Sequence, residues 1–181
     1  VDAGTRLLTF LVGADKSYAA TIRLGIGTDT DDATGTILAT PGYEQVDLIE
    51  AALAPFRGAI RQRPSAVSAI KVAGRRSYQR VRAGEAVELA ERPVTVHSLD
   101  LIEARRTTDP DTGLPVVDVD LVMAVSSGTY VRAIARDLGA ALDSAGHLTA
   151  LRRTAVGPFD VRDAVALADV AADTPLRPLG D

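Results

Sequence analysis

The chain has no cysteine and no tryptophan, one methionine, two histidines and only 4% aromatic residues. Without cysteine, disulfides and thiolate metal sites are excluded. His97 and His147 are far apart, without the close spacing of zinc ligands, so no metal is expected. No apolar run is long enough to span a bilayer as a helix, so no membrane association is expected. No secretory leader is legible, and a chain that opens mid-fold offers no test for one. With so few aromatic residues, the 46% hydrophobic content is mostly Val, Leu, Ile and Ala, and these must build the core. A length of 181 residues fits one domain, or one domain with a short extension.

Acidic residues are missing from one stretch. Between Arg57 and Arg82 there are eight basic residues and no acidic one, although the chain carries a net charge of −4. The rest holds 12 basic and 24 acidic residues. A local excess of positive charge, interleaved with Ser, Gln and Tyr, suits a phosphate backbone. On charge alone, a solvated Arg-rich helix and turn explains it equally well.

Periodicity sketches the fold. Tyr18, Ala20, Ile22 and Leu24 share one face of a half-buried strand over 17–24, with Ser17, Thr21 and Arg23 mostly on the other. Gly25 to Gly35 reads as a polar, acidic loop. Val46, Ile49, Leu53 and Phe56 recur at helical spacing and stop near Gly58. Ser65–Val72 reads as a strand and Ser77–Ala83 as a short helix ended by Gly84. Pro93–Ala104 looks extended, Asp109-Pro-Asp-Thr-Gly113 marks a turn, and residues 116–125 alternate valines with Asp118 and Asp120. Val131, Ile134, Ala135, Leu138 and Leu142 form one helical stripe. His147–Phe159 reads as extended, and Val161–Ala172 as a closing Ala/Val/Leu helix. Strand pairs separated by helices give an α+β class with a largely antiparallel sheet.

Four segments carry a family resemblance: Asp15-Lys-Ser-Tyr-Ala-Ala-Thr-Ile-Arg-Leu-Gly25; Thr28-Asp-Thr-Asp-Asp-Ala-Thr-Gly35; Arg61-Gln-Arg-Pro-Ser-Ala-Val-Ser-Ala-Ile-Lys-Val-Ala-Gly-Arg-Arg-Ser-Tyr78; and Ser127-Gly-Thr-Tyr-Val-Arg132 with Leu151-Arg-Arg153 behind it. In this order they resemble the bacterial tRNA pseudouridine synthases of the TruB type, which isomerise uridine in the T-arm loop. One such segment is weak; four in order are specific. The resemblance implies the pseudouridine synthase fold, a bent, mixed but largely antiparallel sheet with flanking helices around a cleft. One departure stands out. The family's nucleophilic aspartate lies in a Gly-Thr-Leu-Asp-Pro type motif upstream of the first segment, and no such motif occurs here. Val1-Asp-Ala-Gly-Thr-Arg6 looks like the stretch just after it. Asp2 is too close to Tyr18, and in the wrong context, to replace it. The expectation is an N-terminally incomplete catalytic domain over 1–181. Its upstream nucleophile segment and the family's C-terminal RNA-binding domain would both be absent, and residues 57–82 would form a protruding basic RNA-binding arm.

Candidate site residues follow. Ser126-Ser-Gly-Thr129 offers N-caps, which puts Arg132 in the first turn of the next helix. A cation there opposes the helix dipole by roughly 0.3–1 kcal/mol, so an anion should answer it. By resemblance Arg132 pairs with the nucleophilic aspartate, and Asp32 is a second carboxylate beside it; an Arg132–Asp32 ion pair is expected. Tyr18 is by resemblance the tyrosine that stacks on an extruded base; its plain alternative is a core tyrosine. Tyr130, Leu151 and Lys71 match substrate-pocket positions, against ordinary packing roles that sequence alone does not exclude. Tyr18, Tyr130 and Leu151 are expected to converge on one concave site. Arg61, Arg63, Arg75, Arg76, Tyr78, Arg80 and Arg82 are RNA-binding candidates, giving affinity rather than base specificity. Asp29, Asp31 and Asp32 lack calcium-loop spacing, because Ala33 and Thr40 fall where oxygen ligands belong.

The resulting reading is a cytoplasmic, monomeric tRNA pseudouridine synthase. It uses no metal or organic cofactor, its partner is the T-arm stem-loop of tRNA, and the 181-residue chain is silent alone. Two alternatives use the same residues: a non-catalytic tRNA-binding module or chaperone, and a fold remnant serving as a protein scaffold.

Overall fold

The computed structural model describes residues 8–65, 71–72, 75–76 and 89–171. Its centre is a six-stranded antiparallel sheet, built from β1 (Lys16–Leu24), β4 (Gly58–Gln62), β7 (Arg92–Thr108), β8 (Pro115–Val125), β9 (Gly146–Val156) and β10 (Phe159–Asp160). Their order across the sheet is β10-β9-β1-β8-β7-β4. Two short ribbons complete the strands: β2 (Gly27–Thr28) with β3 (Ile37–Ala39), and β5 (Lys71–Val72) with β6 (Arg75–Arg76). Helix α1 (Leu8–Val12) precedes β1. Helix α2 (Ile49–Leu53) continues into a 3₁₀ turn at Ala54–Phe56, and α3 (Val131–Ala141) links β8 to β9.

Alternation decides the two faces. Ala20, Ile22 and Leu24 of β1 pack beside Val117, Val119, Leu121, Met123 and Val125 of β8, under Val131, Ile134, Ala135 and Leu138 of α3. Burying each such Leu, Ile or Val stabilises the fold by about 1.5–3 kcal/mol. The odd positions of β1 and the aspartates of β8 face the other way. Thr21 Oγ1 donates to Asp120 at 2.6 Å. Arg23 grips Asp118 with two bonds of 2.8 and 2.9 Å and reaches Asp109 at 2.7 Å. The aspartates between the valines are therefore the anchors of a polar layer. Register shifts in β1–β9 and β7–β8 bend the sheet, because an unpaired residue raises local twist.

Three expectations change. Residues 161–171 form no α-helix; they run as two 3₁₀ turns, Val161–Asp163 and Leu167–Asp169, with Ala164 and Ala166 extended between them. Leu167 is 89% exposed, so nothing among the described residues covers the apolar side that would stabilise a helix. The expected arm does not begin at Arg57: residues 58–62 are the sheet's edge strand, paired with Arg92–Val96. Two of the window's cations also find acids from outside it, Arg57 with Glu50 at 2.8 Å and Arg61 with Glu91 at 3.4 Å. Third, the cap of α3 is Tyr130 rather than Ser126, Ser127 or Thr129. Ser126 is already committed, its Oγ accepting from Thr95 N at 2.9 Å. The expected helix at Ser77–Ala83 and most of the expected strand at Ser65–Val72 lie outside the described residues.

Candidate active site

Helix α3 places Arg132 in its first turn, two residues after the cap. Across from it, the acidic loop is knotted around Asp32. Thr28 Oγ1 donates to the Asp32 carbonyl at 2.8 Å. Asp32 Oδ1 accepts from Thr30 Oγ1 at 2.8 Å, Thr34 N at 3.0 Å and Thr34 Oγ1 at 2.6 Å. With one oxygen fixed by three donors, the other points at Arg132, and Oδ2 meets Nη1 at 2.9 Å. Burial alone would raise the Asp32 pKa. The hydrogen bonds from Thr34 and Thr30, and then the Arg132 charge, outweigh it and hold the group below the ordinary carboxylate range. Gly35 closes the knot: a Cβ there would lie 2.3 Å from Thr30 Oγ1 and 2.5 Å from Asp29 Oδ1.

The neighbouring Asp31 behaves differently. It is buried, has φ +58, and meets Arg136 Nη1 at 3.3 Å. Burial pushes its pKa up, against the opposing pull of Ser65, Arg136 and Arg132. The Ser65 hydroxyl, fully buried beside it, closes no hydrogen bond of good geometry.

An open cavity of about 390 Å³ is lined by Arg132, Asp32, Ala33 and Thr34 together with Leu148, Thr149, Ala150 and Leu151; the two stretches are joined where Leu148 N donates to the Asp31 carbonyl at 3.0 Å. Only Nη1 of Arg132 is engaged among the described residues, by Asp32 and, at 3.4 Å, by the Thr30 carbonyl. A guanidinium has five donors, so a second carboxylate or a polar substrate edge can still be bound. The cavity's reachable apolar surface is Leu151, 48% exposed, whereas Leu148 belongs to the buried core. A larger cavity of about 580 Å³, between Pro41–Gln45 and Ala141–Ser144, is lined by Glu44 and Asp143 and by no cation, which suits an RNA poorly.

The expected residues are thus partly brought together. Arg132, Asp32 and Leu151 meet at one cavity. Tyr18 lies on the same sheet face; it pairs with Met123 and Arg153, while Ala20, two positions along, pairs with Leu151. Its half-buried side chain packs against the core, outside the cavity wall. Tyr130 precedes the helix and is also outside that wall. Arg61 and Arg63 are exposed on and after the edge strand. Lys71, Arg75 and Arg76 lie on the backbone of the β5–β6 ribbon; Tyr78, Arg80 and Arg82 fall outside the described residues. Several contributors had no sequence signal of their own. Gln62 bonds the start of α3, Arg136 joins three segments, and Lys16 donates to the carbonyls of Val12 and Ala14, both at 2.7 Å. Among the described residues no cluster of His, Asp or Glu is placed to hold a metal ion.

The class follows from the fold. Over 87% of its length the chain resembles a chain in the crystal structure of a Cbf5-Nop10-Gar1 complex, with a TM-score of 0.56 and 26% identity, covering 35% of that chain. It has the pseudouridine synthase fold, in which a largely antiparallel sheet carries the site. Sequence comparison narrows this. Residues 1–131 match the family described as TruB family pseudouridylate synthase (N terminal domain), and residues 132–176 match the tRNA pseudouridylate synthase B C-terminal domain. The chain belongs to the TruB family of pseudouridylate synthases. It is 51% identical over 175 residues to tRNA pseudouridine synthase B of Arthrobacter sp. (strain FB24), covering 96% of this chain and 56% of that protein. It is also 51% identical over 173 residues to the protein of the same name from Mycobacterium ulcerans (strain Agy99), covering 94% and 56%. The chain thus spans little more than half the length of these relatives.

Proposed function

We propose that this chain forms the body of a tRNA pseudouridine synthase that isomerises uridine in the T-arm loop. The observation that carries the proposal is the Arg132–Asp32 pair at 2.9 Å, which shares a cavity of about 390 Å³ with the exposed Leu151. An extruded pyrimidine needs such a slot, apolar on its faces and charged at one edge. In the reaction the C1′–N1 bond breaks, the uracil turns, and C1′ bonds C5. The C5 proton is lost and N1 gains one, so the product is an isomer and no redox partner is needed. In this proposal Arg132, held by Asp32 through Nη1, uses its remaining donors to keep a nucleophilic carboxylate ionised and oriented. No Gly-Thr-Leu-Asp-Pro motif occurs in the chain, so that carboxylate is assigned to sequence outside these 181 residues. Leu151 excludes water from the base, backed by the buried Leu148. Stacking of Tyr18 on the base, contact of the basic stretch after Ser65 with T-arm phosphates, and Lys71 and Tyr130 as further substrate contacts are roles that rest on the resemblance.

The test is tritium release from a T-arm stem-loop carrying tritium at uracil C5. The full-length protein should release it. Arg132→Lys should lower kcat about 100-fold or more, because a point charge does not reproduce the fork that holds a carboxylate. Full activity in that variant, or no release by the full-length protein, overturns the proposal.

A further inference from the structure

Helix α3 begins without a cap of its own. Tyr130 has the extended backbone of an N-cap, at φ −106 and ψ 105, but its side chain makes no capping bond. The cap comes instead from Gln62, 68 residues earlier, at the end of edge strand β4. Tyr130 N donates to Gln62 Oε1 at 2.7 Å, and Gln62 Nε2 donates to the Tyr130 carbonyl at 3.0 Å. Gln62 is 2% exposed, so nothing in solvent can replace either bond. Both backbone partners dictate the orientation: an N–H needs the amide oxygen, and a carbonyl needs the amide nitrogen. The same strand end is tied to α3 again nearly two turns further along. Arg136 Nη2 donates to the Arg63 carbonyl at 2.8 Å while Nη1 meets Asp31, next to Asp32. Arg132 lies between the two ties, two residues after Tyr130 and four before Arg136.

We infer that Gln62 is a positioning residue for Arg132. It sets the angle and register at which α3 leaves the sheet, and through them where the guanidinium meets Asp32 and the cavity. It also makes the strand that leads into the basic stretch 66–82 a mechanical neighbour of the arginine. That Arg132 serves uridine isomerisation rests on the proposed function; that Gln62 orients Arg132 does not.

The test therefore has two readouts. The first is NMR of the guanidinium protons of Arg132 in the 181-residue chain, assigned by their loss in Arg132→Lys. An ion-paired guanidinium gives resolved Nη–H signals, and Gln62→Met, which keeps the length and removes both bonds, should collapse or shift them. Gln62→Glu supplies a reversible version. Its ionised carboxyl still accepts from Tyr130 N but turns a bare oxygen on the Tyr130 carbonyl, whereas the protonated acid restores both bonds. Burial raises the pKa of a glutamate at this site above its ordinary value of about 4.3, so the Arg132 signals should match the parent pattern at about pH 5 and become altered as pH rises toward about 9. If Gln62→Met does not fold, this reversal alone decides the matter. The second readout is turnover by the full-length protein. Gln62→Met should lower kcat about 10- to 100-fold with KM for the stem-loop nearly unchanged, as a displaced catalytic group does. Arg132 signals identical to the parent in both variants overturn the inference. A change in KM with kcat intact also overturns it, and makes Gln62 part of RNA binding instead. Absent turnover in the parent counts against the proposed function, and the NMR arm still decides the role of Gln62.

Discussion

Asp31 and Asp32 are adjacent in the chain and opposite in electrostatic behaviour. Asp32 has its folded pKa lowered by Thr34, Thr30 and Arg132 against its burial, so its contribution to stability is present above the ordinary value of about 3.9 and is lost as pH falls through the folded value. Asp31 has its folded pKa raised by burial, so ionising it costs the folded chain stability as pH rises through the ordinary and then the raised value. Two substitutions should separate these effects. Asp32→Asn should lower Tm most near pH 7, and by progressively less as pH falls below about 4. Asp31→Asn should gain on the parent as pH rises from about 4 to about 7, and its backbone at φ +58 suits asparagine. Thermal unfolding across that range checks both; curves that run parallel to the parent's would contradict the assignment. At this scale the sequence is informative where a motif fixes the partner, as with Arg132 and Asp32. It is silent on Asp31, whose burial depends on Arg136 and Ser65 arriving from elsewhere, and on Gln62, whose partner is 68 residues away.

At the scale of elements, helix α3 and the start of β9 approach unusually closely. A Cβ on Gly139 would lie 2.3 Å from the backbone at Ala145 and Gly146, and one on Gly146 would lie 2.4 Å from the Ala135 carbonyl. This approach fixes the helix against β9 and therefore Arg132 against Leu148 and Leu151. Gly139→Ala forces backbone to move and should destabilise the chain by about 1–3 kcal/mol or more. Gly13→Ala meets nothing within 4 Å and should be nearly neutral. Urea unfolding compares them; equal midpoints would show that the helix is free to shift. Strands β1 and β8 and helix α3 are legible because one face of each is buried, so period two or 3.6 is written into the residues. The segment after Asp160 reads as a helix in sequence because its apolar content suits one, but nothing in the described chain covers that side. Within the 57–82 window, the first part belongs to the sheet rather than to an arm. Arg57 and Arg61 look unpartnered in sequence, and their acids, Glu50 and Glu91, lie beyond the window.

For the whole molecule, charge and shape have to agree on one surface. A chain with net charge −4 repels RNA except where its eight basic residues between Arg57 and Arg82 are gathered. Replacing Arg75, Arg76 and Arg80 together with Ala should weaken binding to a T-arm stem-loop. Its salt dependence should flatten by roughly 0.7–0.9 log units for each phosphate that is no longer neutralised. Unchanged affinity and slope in a salt titration would exclude the stretch as the RNA-binding surface. The central claim is that the cavity between Arg132–Asp32 and Leu148–Leu151 receives the reacting base. The direct measurement is a crystal structure of the full-length protein with a T-arm stem-loop whose target uridine carries fluorine at C5, which blocks loss of the C5 proton. The account predicts the flipped base against Leu151, with its polar edge toward Arg132. A base bound elsewhere, in the acidic Pro41–Ser144 cavity or still stacked in the loop, would contradict it.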